Sequence, residues 1–85
     1  MIEVEHQPEQ NRFVINVEQD AAVLDYIQEG SDIDFTRTYV PHSLRGRGYA
    51  EKLVHAGLAW AREHSMEIQA SCWYVQKYLP TEEKS

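Results

Sequence analysis

Apolar residues in the first half of the chain recur at every second position, most clearly at Phe13, Ile15, Val17 and at Ile33, Phe35, Tyr39. That is the period of a strand in a sheet with one covered face. Four strands are predicted: Ile2–His6, Arg12–Val17, Ala21–Ile27 and Ile33–Val40. The stretches between them, Gln7-Pro8-Glu9-Gln10-Asn11, Glu18-Gln19-Asp20 and Gln28-Glu29-Gly30-Ser31-Asp32, are turn-rich and short enough for hairpins. Strands joined in this way form an antiparallel meander. Arg37 interrupts the last apolar face, either as a rim position with its stem on the sheet or as a ligand contact.

The period changes to helical between Gly48 and His64. Ala50, Leu53, Val54, Gly57, Leu58 and Ala61 fall on one stripe, while Glu51, Lys52, Arg62 and Glu63 fall on the other side. The stripe must cover the sheet. Gly57 lies on it at a cost of about 1 kcal/mol in helix propensity, which points to close approach of a strand. Trp60 falls off the stripe and reads as partial packing or a partner contact. Met66–Ala70 is a short strand that, after a helix crossover, lies parallel to the strand before the helix. Trp73–Leu79 is a last short helix ended by Pro80, and Thr81–Ser85 is a polar tail. The expected fold is α+β: an antiparallel meander followed by a β-α-β unit with parallel strands, and a short C-terminal helix, all in one domain over residues 1–80.

Composition narrows the functional classes. At 85 residues every element shares one core, and a chain of this size buries only about 60% of its unfolded surface. Hydrophobic residues at 42% and charged residues at 26% are ordinary for a folded domain. A formal net charge of −6 argues against generic binding to nucleic acid or an anionic membrane. The single cysteine, Cys72, excludes an internal disulfide framework and a multi-cysteine zinc site, and no spacing among His6, His42, His55 and His64 suggests a metal. With no apolar run long enough to span a membrane, a cytoplasmic location is the default expectation.

Within this acidic chain Arg37, Arg45, Arg47 and Lys52 crowd one short window. Pro41-His42-Ser43-Leu44-Arg45-Gly46-Arg47-Gly48-Tyr49-Ala50 lies between a strand and a helix, where unpaired backbone N–H groups and the helix dipole favour an anion. Two glycines let backbone approach a phosphate closely, and Arg45 and Arg47 add charge-assisted hydrogen bonds. A helix cap with two glycines and two solvated arginines would show the same pattern.

The run from Val40 to Val54 resembles the acetyl-CoA-binding motif of the GNAT acetyltransferase superfamily, Gln or Arg, two residues, Gly, one residue, Gly or Ala, with Arg45, Gly48 and Ala50 in the matching places. The short length and the later Ser71-Cys72-Trp73-Tyr74-Val75-Gln76-Lys77-Tyr78 look more narrowly like the small single-domain GNAT-like N-acetyltransferases, over roughly residues 10–80. The resemblance implies a minimal GNAT-like fold whose parallel strands splay beyond Val40, that Arg45, Gly46, Arg47, Gly48, Tyr49 and Ala50 hold the CoA pyrophosphate through the turn, and that Tyr39 and Val40 border the pantetheine arm. His42, beside the turn, is a base, a further phosphate contact or simply an exposed loop residue.

Acetyl transfer to an amine needs an unprotonated amine, a polarised carbonyl and a proton for the leaving thiolate. The resemblance puts Tyr78 where the superfamily's last helix often carries a proton-donating tyrosine. Tyr74 is a weaker candidate, and either can be a core aromatic with its hydroxyl at the surface. Cys72 matches a cysteine of the small family at the end of the corresponding strand. It is an acyl-accepting thiol or an inert small hydrophobe. Longer relatives build the acceptor site from segments with no counterpart here, so that site is expected to be open, shared across a dimer or absent.

The leading expectation is an N-acetyltransferase moving an acetyl group from acetyl-CoA, its co-substrate, to an unidentified amine, without a metal, as a monomer or weak dimer. The alternative is a non-catalytic module that binds or senses CoA or acetyl-CoA. A nucleotide- or RNA-phosphate-binding domain rests on Arg45 and Arg47 alone, and the −6 charge weighs against it.

Overall fold

A computed structural model describes residues 3–79. Five strands form one sheet in the order β1-β2-β3-β4-β5: β1 Glu5–Gln7, β2 Arg12–Val17, β3 Asp20–Glu29, β4 Asp32–Tyr39 and β5 Glu67–Ala70. Neighbours are antiparallel except β4 and β5, which run parallel and are joined through the helix α1, Tyr49–Glu63. A short helix α2, Trp73–Gln76, follows β5. The expected α+β meander and β-α-β unit are therefore present, with limits that differ at the ends. The first strand starts at Glu5 rather than Ile2, which lies outside the described residues, as do Pro80 and the tail; the last helix stops at Gln76 rather than Leu79.

The core lies between one sheet face and α1. Phe13, Ile15, Ala22, Leu24, Tyr26, Ile33 and Phe35 pack against Leu53, Val54, Leu58 and Ala61, all buried. Gly57 is where helix and sheet come nearest: a methyl group there would stand 2.9 Å from both Leu24 Cδ2 and Phe35 Cε1. Trp60 is half-buried. It closes the core at its edge, with its ring centroid 4.6 Å from that of His6 and 5.7 Å from that of Tyr26.

Two departures from alternation position the site. In the pairing of β3 with β4, Tyr26 opposes Phe35 and Asp25 opposes Arg37, so Thr36 is an extra residue in β4. This bulge reverses the side-chain parity beyond it. Thr38, opposite buried Leu24, points to the helix side, whereas Tyr39 and Arg37 lie on the outer face. Arg37 thus interrupts no apolar face; it pairs with Asp25 at 3.1 Å, and its guanidinium lies 5.5 Å from the Tyr39 ring centroid. The second departure is the splay of the parallel pair. It begins earlier than Val40: register runs from Asp32↔Glu67 to Phe35↔Ala70 and stops there. Cys72 N–H donates the last link, to the Phe35 carbonyl at 3.1 Å. Ser71 donates its N–H and its hydroxyl to the Asp34 carboxylate, both at 2.8 Å, which fixes the point where the chain leaves the sheet.

Candidate functional site

Beyond Phe35 the edge of β4 that faced β5 has no strand partner among the described residues. Alongside it a cleft of about 250 Å3 is lined by Thr38, Tyr39, Val40, Arg45, Ala50, Cys72, Trp73 and Tyr74. Val40, Arg45, Ala50 and Tyr74 are walls that it shares with a second hollow of about 250 Å3 over Gly46, Gly48 and Glu51 at the start of α1. Side by side, the two hollows form a cleft in two parts that borders the glycine turn at one end and Cys72 at the other.

At the turn end the site is made of backbone. A 3-10 turn at His42–Leu44 buries Leu44, and Ser43 donates its hydroxyl to the Asp20 carboxylate at 2.6 Å, which ties the connection to the sheet. Arg45 Nε donates to the Val40 carbonyl at 3.0 Å. Gly46 and Gly48 are both left-handed, at φ 79° and 78°, a conformation glycine takes without steric cost. Gly48 is the N-cap of α1, and no side chain caps it. The first helical bond is Lys52 N–H to the Gly48 carbonyl at 3.1 Å, so the amides of Tyr49, Ala50 and Glu51 have no acceptor inside the helix. A methyl group on Gly46 or Gly48 would meet nothing within 4 Å, so the space beside these two glycines is open. Together with the helix dipole this makes a cradle that favours an anion. Two other hollows, one lined by Glu29, Asp32 and Asp34 and the other by Glu3 and Glu5, repel such a group.

At the other end the site is made of side chains. Cys72 is partly buried, and its thiol sulfur lies 3.6 Å from Thr38 Oγ1. Burial opposes the thiolate, yet the Thr38 hydroxyl and backbone hydrogen bonds of Val75, Tyr74 and Thr38 outweigh it and lower the thiol pKa below its ordinary value. Tyr74 lines both parts of the cleft, and its hydroxyl lies 3.1 Å from that of Tyr78. Burial, then the Tyr78 hydroxyl and phenol, then the Glu51 charge raise the Tyr74 pKa strongly, so the phenol keeps its proton across the physiological range.

The model of the GCN5-related N-acetyl-transferase family matches residues 12–85, the great majority of the chain. The chain belongs to this family. It is 38% identical to Protein NATD1 of Gallus gallus and of Homo sapiens, in each case over 81 residues, 92% of this chain and 74% and 72% of those proteins. Its fold is similar to the solution structure described as a GCN5-like N-acetyltransferase from Staphylococcus aureus, at a TM-score of 0.71 and 30% identity over 96% of this chain and 81% of that one.

Against that family background, the residues singled out by sequence fall into two groups. Tyr39, Val40, Arg45, Gly46, Gly48, Tyr49, Ala50 and Cys72 all line the cleft. The Tyr49 side chain is buried, which leaves only its amide for a ligand. His42 and Arg47 are exposed and do not line it. Nor does Tyr78, whose ring stacks on His55 at 5.6 Å and whose hydroxyl reaches the cleft only through Tyr74. Thr38 is the residue that sequence reasoning missed. Simple alternation turns it away from the core, and no glycine marks the bulge that turns it back. Among the described residues no group of histidine, cysteine and acidic side chains could hold a metal ion, and no helix is long and apolar enough to cross a membrane.

Proposed function

We propose that this acetyltransferase-family chain binds acetyl-CoA along the cleft and transfers its acetyl group to an amine. The observation that carries the reading is the pair of adjoining hollows with shared walls, one over uncapped amides and two left-handed glycines, the other beside a thiol of lowered pKa. The amides of Tyr49, Ala50 and Glu51, with Arg45, hold the pyrophosphate. The edge of β4 near Val40 offers backbone partners to the amides of the pantetheine arm, much as a sheet edge accepts an added strand. The thioester then lies beside Cys72.

In the reaction that this arrangement supports, the Cys72 thiolate attacks the thioester carbonyl carbon. The acetyl group moves to Sγ, and the CoA sulfur leaves as a thiolate that accepts a hydrogen bond from the Tyr74 phenol and takes its proton from water. Tyr78 holds that phenol through its own hydroxyl. An unprotonated amine then attacks the acetyl carbon and releases Cys72. The cleft beside Cys72 is lined by no carboxylate or imidazole among the described residues, so the amine loses its proton to solvent.

That same lining favours a second reading, a non-catalytic module that binds CoA or acetyl-CoA. Intact-mass spectrometry after incubation with acetyl-CoA distinguishes them. The transferase reading predicts an acetyl adduct that disappears in Cys72→Ser and on addition of amine. Bound CoA with no adduct and no acetylated amine contradicts it and leaves the binding module.

A further inference from the structure

The ammonium nitrogen of Lys77 lies 4.5 Å from the ring centroid of Tyr74, 5.5 Å from that of Trp73 and 5.8 Å from that of Tyr78. All three distances are within the roughly 6 Å reach of a cation–π attraction. The rings are inclined to one another instead of stacked: Trp73 and Tyr74 cross at 82° and 5.9 Å, Tyr74 and Tyr78 at 56° and 5.4 Å. A cation among three differently inclined rings is an aromatic cage. Two of its walls, Trp73 and Tyr74, also line the cleft beside Cys72. Trp73 is 72% exposed, so packing within the chain does not account for an indole there.

We propose that Trp73, Tyr74 and Tyr78 form a binding cage for an aliphatic ammonium group, that Lys77 is a tethered stand-in for it, and that the ligand is the amine acceptor. The ring faces are the negative poles of their quadrupoles; they attract a cation and reject a carboxylate. They also stabilise the protonated form of whatever nitrogen they hold. A caged nitrogen is therefore not the nucleophile, which needs its lone pair. The acceptor carries a second amine: it is an aliphatic diamine or a longer polyamine, held by one nitrogen and acetylated at another. The reacting nitrogen forms the C–N bond to the acetyl carbon, the C–S bond breaks, the sulfur leaves as thiolate and is protonated to the thiol, and the amine gives its surplus proton to water. The net charge of −6 draws such a polycation to the protein. The cation preference of the cage stands by itself, whereas its role in holding the acceptor rests on the acetyl-transfer reading.

The test has two arms. In the first, 15N-labelled Lys77→Ala is titrated with tetramethylammonium, which has no N–H to donate, and the backbone amide signals of Tyr74, Val75 and Tyr78 are followed. Saturable binding at least fivefold tighter than in the unaltered protein, lost when exposed Trp73 is also replaced by Ala and not reproduced by acetate, is expected. No saturable shift in Lys77→Ala, equal affinity without Trp73, or the same response to acetate overturns the cage. In the second arm, Lys77→Ala is given acetyl-CoA with butane-1,4-diamine or butylamine. At least tenfold higher kcat/KM for the diamine is expected, and equal or lower kcat/KM overturns the acceptor assignment. Ammonium binding with neither amine acetylated would instead bring down the acetyl-transfer reading, and the acceptor assignment with it, while the cage stands.

Discussion

The two ends of the cleft are built from different material, and they tolerate change differently. Over Gly46 to Glu51 the site consists of backbone: two left-handed glycines and three helix-start amides, all from one short run of sequence. Around Cys72 it consists of side chains from β4 and from the segment entering α2, brought together by the bulge at Thr36 and by the splay after Phe35. A backbone site is insensitive to side-chain truncation and vulnerable to any change that alters φ or fills the space above the amides. A side-chain site loses one function at a time.

The sharpest way to break the comparison is Gly48→Glu. It forces a non-glycine residue to φ 78° and sets a carboxylate in the anion cradle. CoA is expected to stabilise the native protein by mass action, and the variant to lose that rise in melting temperature entirely. An unchanged rise places the pyrophosphate elsewhere. At the other end, Tyr74→Phe is expected to lower kcat about 100-fold with CoA affinity retained, since the hydrogen-bond donor to the leaving sulfur is removed and the cradle is not. Tyr78→Phe removes only a hydrogen-bond partner and is expected to lower kcat about tenfold or less. Equal losses in steady-state kinetics would contradict the assignment of Tyr74 as the residue on the cleft.

Gly57→Ala tests the scaffold that both ends share. Alanine gains about 1 kcal/mol of helix propensity, but its methyl would sit 2.9 Å from Leu24 and Phe35, and overpacking of this kind costs about 1–3 kcal/mol. A net loss of about 1 kcal/mol is expected, read as a fall of about 4–8 °C in melting temperature. A rise would mean that helix and sheet can separate without cost.

The smallest effect concerns a region remote from the cleft. His6 Nε2 and the Tyr26 hydroxyl are 2.7 Å apart, His6 stacks on Phe13 at 4.1 Å, and Trp60 and His64 complete the cluster. Burial, then the charge of His64, lowers the His6 pKa from its ordinary 6.5. The folded state thus binds fewer protons than the unfolded chain, so stability is complete above pH 6.5 and declines as the pH falls below it. His6→Gln is expected to flatten the dependence of melting temperature on pH between 7.5 and 5.5 by a few degrees, and to leave CoA binding as it is.

The backbone end was legible in the sequence because it is contiguous. Arg45, Gly48 and Ala50 carry the motif spacing, and the change from a period of two to a helical period marks the helix start within one residue. The strands from Arg12 onward were legible for the same reason, since alternation is a local signal. The side-chain end was legible only in part. Cys72 stood out through resemblance, but its partner Thr38 is 34 residues away and faces it only because of a bulge that no glycine or proline announces. The choice between Tyr74 and Tyr78 depends on how a four-residue helix is rotated against α1, which such a short segment does not encode by periodicity. Trp60 read as ambiguous because its neighbours, His6 and Tyr26, come from strands distant in sequence.

The central claim is that one ligand spans both ends of the cleft, and amide chemical shifts report on it directly. When the 15N-labelled protein is titrated with CoA, the account predicts saturable shifts concentrated at Gly46, Gly48, Tyr49, Ala50 and Glu51, together with Val40 and Cys72, and little change at Glu29 to Asp34. Shifts absent from the Gly46–Glu51 amides, or centred on the acidic hollow at Glu29, Asp32 and Asp34, would contradict it.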